Sequence, residues 1–178
     1  MMSDKYEVVT LFDGYSRDTE LGSIANCTCT LIKGPKNIIV DTMTAWDGTK
    51  LIKALDEQQI GCDDINFVIC THGHSDHIGC NYLFKKAIHI VDYKIDDCIK
   101  VIATPGHTLQ DVSVIVTTAK GIIAIVGDLF ENEGDLKDDN IWKKAGSDCE
   151  ELQLQNRAKI LKIADWIIPG HGPMFKVN

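Results

Sequence analysis

The sequence predicts a layered α/β domain whose chemistry lies along the carboxyl ends of its strands. Two observations predict this. Continuous apolar runs such as Phe67-Val68-Ile69-Cys70 and Trp166-Ile167-Ile168 read as strands buried on both faces, and they alternate with stretches of helical periodicity at 47–59 and 149–164. Four strand candidates then end in His or Asp set beside glycine, at the edge where layered α/β proteins build their sites.

In chain order, Tyr6 to Phe12 reads as a strand, Asp13-Gly14-Tyr15-Ser16 as a turn and residues 16–23 as polar loop. Asn26 to Ile32 alternates and reads as a second strand. Lys33-Gly34-Pro35-Lys36-Asn37 is a hairpin loop leading to a third strand, Asn37 to Asp41. Cys27 and Cys29 share a face of the second strand, and no second cysteine pair answers them, so packing is their expected role. Asp41, at a strand end, is expected to orient a ligand histidine. Leu51, Ile52, Leu55 and Ile60 predict a helix over 47–59, stopped by Gly61. A short helix is expected over 78–86, with Tyr82, Leu83 and Phe84 partly inward, followed by a strand at 87–91. His89 in that strand is expected to be a partly buried structural histidine. Strands follow at 99–103, 112–118 and 122–126, the last two forming a hairpin around Lys120-Gly121. Residues 131–140 read as solvated loop. The helix over 149–164 counts Leu152, Ile160, Leu161 and Ile163 among its apolar positions, and 166–168 is the last strand. No repeat or linker divides the chain, so one domain over 1–178 is expected.

The stretch most charged with chemistry is Thr71-His72-Gly73-His74-Ser75-Asp76-His77, an H-x-H-x-D-H motif. Three of the six histidines fall in it, a clustering that serves no purpose without a metal. On an extended strand end His72 and His74 point to one side. Asp76 and His77 follow at once, and Ser75 is placed to cap a new helix. Neutral imidazole and carboxylate are good ligands for zinc and similar divalent ions. The cluster offers more ligands than one tetrahedral ion takes, which suggests two ions. His107, Asp128 and His171 lie at three further strand ends beside glycine. Each signal is weak alone, and together they make a consistent two-metal set.

Composition narrows the partners. A formal charge of −8 and a pI of about 5.1 argue against a broad nucleic-acid footprint or an anionic membrane surface. They leave open a nucleic acid at the metal site, where bound cations dominate the local charge. Residues 1–7 carry no apolar run of a secretion signal, and no stretch reaches the length of a membrane span. Seven cysteines, an odd number set mostly in apolar runs, read as reduced thiols of a cytosolic or nuclear protein.

The motifs T-H-G-H-S-D-H, A-T-P-G-H-T, G-D-L-F and P-G-H-G, with V-D-T at 40–42, resemble the metallo-β-lactamase fold superfamily over about residues 6–176. The resemblance implies a four-layer αβ/βα sandwich, two mixed β-sheets flanked by helices, with the site at one edge. It implies that His72, His74 and His107 hold a first ion, that Asp76, His77 and His171 hold a second, and that Asp128 bridges them. The two divalent ions are expected to be zinc, with iron or manganese as alternatives. The activity implied is metal-assisted hydrolysis by an activated water, with Asp76 orienting that water or passing on its proton. Aspartate at 128 replaces the cysteine of class B1 lactamases, which argues against dedicated β-lactam hydrolysis.

For substrate the resemblance implies several options. A-T-P-G-H-T-L-Q-D-V-S-V and A-D-W-I-I-P-G-H-G-P-M-F are most similar to members associated with histone pre-messenger-RNA 3′ processing, which implies an endoribonuclease acting on single-stranded RNA. The acidic charge opposes it, and so does the lack of the second domain or exosite arm of RNA-cleaving relatives. The alternative is a thioester, ester or lactam hydrolase of glyoxalase II type, although the chain ends seven residues after His171, without the glutathione-binding helical domain of those relatives. A mono-iron persulfide dioxygenase is the third option, distinguished by one iron per chain. All histidines except His89 are assigned to metal, so the leaving-group proton has no owner. Oligomerisation is left open, a homodimer included. Finally, only 29 residues separate His77 from His107. With residues 92–97 alone to wall the site, the spacing predicts an open, shallow site that favours a polymer.

Overall fold

A computed structural model describes residues 5–20, 22–90 and 94–177. The first half comprises β1 (Glu7–Phe12), β2 (Tyr15–Thr19), β3 (Gly22–Asn26), β4 (Cys29–Lys33), β5 (Ile38–Val40), α1 (Gly48–Glu57), β6 (Phe67–Ile69), α2 (Ser75–Ile78) and β7 (Ile88–Ile90). The second comprises β8 (Ile99–Ala103), β9 (Val112–Thr118), β10 (Gly121–Gly127), α3 (Asn140–Ala145), α4 (Glu150–Ile163), β11 (Trp166–Pro169) and β12 (Phe175–Lys176). One five-stranded mixed sheet has the order β1-β4-β5-β6-β7, and the other has the order β12-β11-β10-β9-β8.

Side-chain alternation at period two assembles the layers. In β5, Ile38 and Val40 face the core between the sheets, while Ile39 faces outwards to Leu51 and Leu55 of α1. In β10, Ile123 and Ile125 point into the same inter-sheet core, and Ala124 and Val126 point outwards to Ile160 and Ala164 at the end of α4. The order is therefore α1, first sheet, second sheet, α4, the four layers expected. Cys27 and Cys29 are fully buried under α1 as packing residues, and the seven cysteines are all free thiols. No helix of the described residues is long and apolar enough to cross a membrane.

Several elements depart from expectation. Residues 16–23 are not loop. They lie largely in an antiparallel hairpin, β2 with β3, registered from Tyr15 opposite Asn26 to Thr19 opposite Gly22. Nearly all of it is exposed, so neither face carries the apolar alternation that marks a strand. The helix expected over 78–86 is instead α2, a four-residue helix that starts three residues earlier, followed by a 3-10 turn at Asn81–Leu83. The chain bends at Gly79, whose N–H donates to the Met43 carbonyl at 2.8 Å; Phe84 is buried and Tyr82 is exposed. His89 is exposed rather than partly buried, because β7 is the edge of its sheet. Residues 131–140 are only in part a solvated loop: Glu133 and residues 136–140 are exposed, but Glu131 and Asp135 are buried, a 3-10 turn spans Glu133–Leu136, and α3 begins at Asn140. Val91 and Tyr93, on which the open-site expectation turned, fall within 91–93, outside the described residues.

Candidate metal centre

β6 delivers the H-x-H-x-D-H stretch at its carboxyl end. His74 rather than Ser75 takes the position before the first turn of α2, and its side chain makes no capping bond there. The His74 ring is turned instead to His107, with Nδ1 at 3.3 Å from His107 Nε2. β8 leads to His107, β10 to Asp128 and β11 to His171. A Cβ on Gly170 would overlap Asp128 Oδ1, so glycine is what lets the His171 loop lie against that carboxylate.

The seven candidate residues converge. Ligating atoms of His72, His74, His107 and Asp128 lie within 4.8 Å of one another, as do those of Asp76, His77 and His171. Asp128 stands between the two groups. Its Oδ2 lies 3.6 Å from His72 Nε2, 3.4 Å from His107 Nε2 and 3.3 Å from His171 Nε2, and its Oδ1 lies 3.3 Å from His77 Nε2. Asp76 Oδ2 lies 3.8 Å from His77 Nε2 and 4.0 Å from His171 Nε2. Two ligand atoms on one zinc at tetrahedral angles sit roughly 3.3 Å apart, so these spacings match donors around a cation.

The other ring nitrogens are already engaged. His77 Nδ1 lies 2.8 Å from Asp41 Oδ2, His107 Nδ1 donates to the Gly146 carbonyl at 2.8 Å, and His171 Nδ1 donates to the Asn26 carbonyl at 3.0 Å. A ring that donates from Nδ1 presents a bare lone pair at Nε2, the form a metal requires. The inward atoms His72 Nε2, His77 Nε2, Asp76 Oδ2 and Asp128 Oδ1 are buried with no hydrogen-bond partner. Four orphaned ligand atoms facing one point are costly unless something satisfies them. The His/Asp cluster fits a metal site.

Electrostatics follow from the dry, crowded geometry. Burial works against a charge on Asp128, yet the His77 and His171 rings outweigh it and hold the carboxyl well below its usual range. Burial likewise opposes protonation of His77, but Asp41 and Asp128 keep it well above 6.5. Burial, then neighbouring His77, pushes His72 down to about 2. Asp41 is held in place from several sides: Oδ1 accepts the Thr71 N–H at 2.7 Å and Oδ2 accepts the Thr71 hydroxyl at 2.8 Å.

Beside the cluster lies a cleft of about 400 Å³. The β2–β3 hairpin walls one side with Ser16, Asp18 and Ser23, and α3 contributes Ile141 and Lys144. The cleft is thus walled on two sides by the hairpin and α3, elements that the expectation of a shallow, unwalled surface left out. Its volume falls within the range of small-molecule pockets. Glu131, which the sequence reading placed in solvent, lines this cleft with Oε1 unpartnered. Burial, then the Asp128 charge, pushes it up to about 8. The carbonyls of Asn26 and Gly146 carry no sequence signal, since every residue has one. Glu131 had its spacing, three after Asp128, as the only clue.

Fold and site together define a class. The Metallo-beta-lactamase superfamily profile matches residues 24–97, and the chain belongs to that superfamily. Among curated proteins it is similar to metallo-beta-lactamase domain-containing protein 1 of Xenopus laevis, 39% identical over 97% of this chain and 82% of that protein. The fold matches a Thermotoga maritima crystal structure with a TM-score of 0.76 and 21% identity, covering 97% of this chain and 99% of that one. It also matches a Bacillus thuringiensis protein crystallised with N-decanoyl-L-homoserine at its active site, with a TM-score of 0.71 and 16% identity over 96% and 94% of the two chains.

Proposed function

We propose that the chain is a dinuclear metal-dependent hydrolase of small ester, thioester or lactone substrates, carried by one domain in the cytosol or nucleus. His72, His74, His107 and Asp128 hold one divalent ion. Asp76, His77 and His171 hold the other, with Asp128 shared. The observation that carries the reading is the set of inward-facing, unpartnered Nε2 and carboxylate atoms whose companion nitrogens are tied from behind. Zinc suits this nitrogen and oxygen set first, with iron or manganese as alternatives. When bound, such ions supply Lewis acidity and an activated water.

The chain's own residues do the rest. Asp41 and the carbonyls of Asn26 and Gly146 hold three rings in the tautomer that points Nε2 inwards. Asp76, the less buried of the two carboxylates in the ligand groups, orients the attacking water. The hairpin and α3 exclude solvent from the cleft, where Ile141 gives an apolar contact and Lys144 a cation. A walled cleft of about 400 Å³ with Asp18 and Glu131 in its lining suits a small acyl substrate better than a polyanion. Single-stranded RNA is therefore the competing substrate and persulfide oxidation by a single iron the competing chemistry. The test is metal analysis of the purified chain followed by a panel of lactones, thioesters, a β-lactam and single-stranded RNA. Two ions per chain with acyl hydrolysis is expected. One iron with oxygen uptake, or turnover of RNA alone, would overturn it.

A further inference from the structure

The face that α4 turns inwards is not the apolar stripe of an ordinary packed helix. Its buried residues are Gln153, Arg157 and Ile160, so the first two turns bury an amide and a guanidinium. Such groups are costly in a dry interface unless bonded, and their partners lie in the turn that carries Asp128 and the 3-10 turn after it. Gln153 Nε2 donates to the Asp128 carbonyl at 3.0 Å. Arg157 Nη1 donates to the Leu129 carbonyl at 2.8 Å and to Asp135 Oδ2 at 2.9 Å, and Nη2 donates to the Asp135 carbonyl at 3.0 Å. Asp135 Oδ2 in turn accepts the Glu131 N–H at 2.8 Å, and the guanidinium lies 4.0 Å from the Phe130 ring centre. The whole 128–131 turn is thereby hung from the helix.

The same helix grips the other loop. Asn156 Nδ2 donates to the Pro105 carbonyl at 2.8 Å. In the turn before α4, the Cys149 N–H and the Ser147 hydroxyl donate to the Gly106 carbonyl at 3.0 and 2.9 Å, the Asp148 N–H donates to the His107 carbonyl at 3.0 Å, and Gly146 accepts from the His107 ring. Gly106 packs so closely on Gln153 that a Cβ would overlap its backbone. The outer contacts of the His77 and His171 rings come from Asp41 and Asn26, while the Gly170 and His171 N–H groups donate to the Phe130 and Glu131 carbonyls at 3.0 and 2.9 Å, so the turn that α4 holds also backs the His171 loop.

We propose that α4 and the turn leading into it form a clamp that sets metal affinity by positioning His107 and the shared Asp128, with Gln153, Asn156 and Arg157 as positioning residues. The proposal rests on the dinuclear reading above. Gln153→Met keeps the shape and removes the donor; its Oε1 has no partner to lose. Arg157→Lys keeps the charge and loses the fork that spans two carbonyls and a carboxylate. Asp41→Asn serves as a comparison, since it supports His77 from outside the clamp.

The experiment is a zinc titration of the full chain against a chromogenic chelator, with the melting temperature of the chelator-treated protein measured alongside. Wild type is expected to bind two ions. Gln153→Met and Arg157→Lys are each expected to weaken zinc binding by about 10–100-fold, the range for lost support behind a ligand, with no matching fall in the melting temperature of the chelator-treated protein. Asp41→Asn should weaken binding by a comparable factor. Gln153→Met touches one carbonyl and carries the test alone should the arginine variant fail to fold. Unchanged affinity, or a loss that only tracks a lower melting temperature, would overturn the clamp while leaving the dinuclear reading intact. A wild type that binds fewer than two ions would overturn that reading, and the clamp with it.

Discussion

At the scale of single residues, position in the cluster decides what a substitution does. Asp128 is the one side chain within 3.6 Å of four different imidazoles. Asp128→Ala removes the charge that both ligand groups share. It is expected to lower metal stoichiometry and turnover together; two ions retained with normal turnover would remove Asp128 from the centre. His89 makes the opposite case. It is exposed on an edge strand, and it belongs to neither ligand group. His89→Ala should leave metal content unchanged and shift stability by no more than about 0.5 kcal/mol, as exposed substitutions usually do. Metal analysis beside a denaturant melt checks both halves. A large fall in turnover with both ions retained would instead give His89 a part in the chemistry.

At the scale of elements, the β2–β3 hairpin and α4 share a property: neither has the pattern from which its role is normally read. The hairpin is exposed on both faces and gains little from burial, so its place over the cleft is its evident use. Replacing residues 16–24 with a short Gly-Ser turn should leave both ions bound, because no ligand atom lies in that stretch. It should raise KM for an acyl substrate several-fold while lowering kcat less. An unchanged KM would show that substrate does not use this wall. α4 is the reverse, an element whose inward face is polar because it serves backbone carbonyls rather than a greasy sheet.

At the scale of the whole molecule, both sheets deliver ligands to one place. His72, His74, Asp76 and His77 follow β6 of the first sheet, while His107, Asp128 and His171 follow strands of the second. A cation held there ties the two sheets together at the edge where four buried ligand atoms otherwise lack partners. Binding to the native state alone stabilises by about 2.7 kcal/mol at one hundred times Kd. Exhaustive chelation should therefore lower the melting temperature by several degrees, with recovery on adding zinc. A melt indifferent to chelator would argue that no metal spans the sheets.

Much of this was legible in one dimension. Most strands of the two sheets and α1 with Leu51 and Leu55 follow from apolar period and continuity, because burial on one face or both is written directly into side-chain type; the four-layer order came from the resemblance of the motifs to a family. The ligand candidates were legible for a related reason: His and Asp beside glycine at strand ends is a local pattern, and so is Asp41 at the end of β5. What only the tertiary structure decided are relations between residues distant in sequence. The carbonyls of Asn26 and Gly146 that fix two rings belong to no side chain. The hairpin wall has no apolar face to betray it. Asp135 and Arg157 look solvated until their pairing, 22 residues apart, satisfies each other and the turn after Asp128. Sequence records what a residue prefers to be near, whereas the cost of a buried polar group is settled by which partner the fold brings to it.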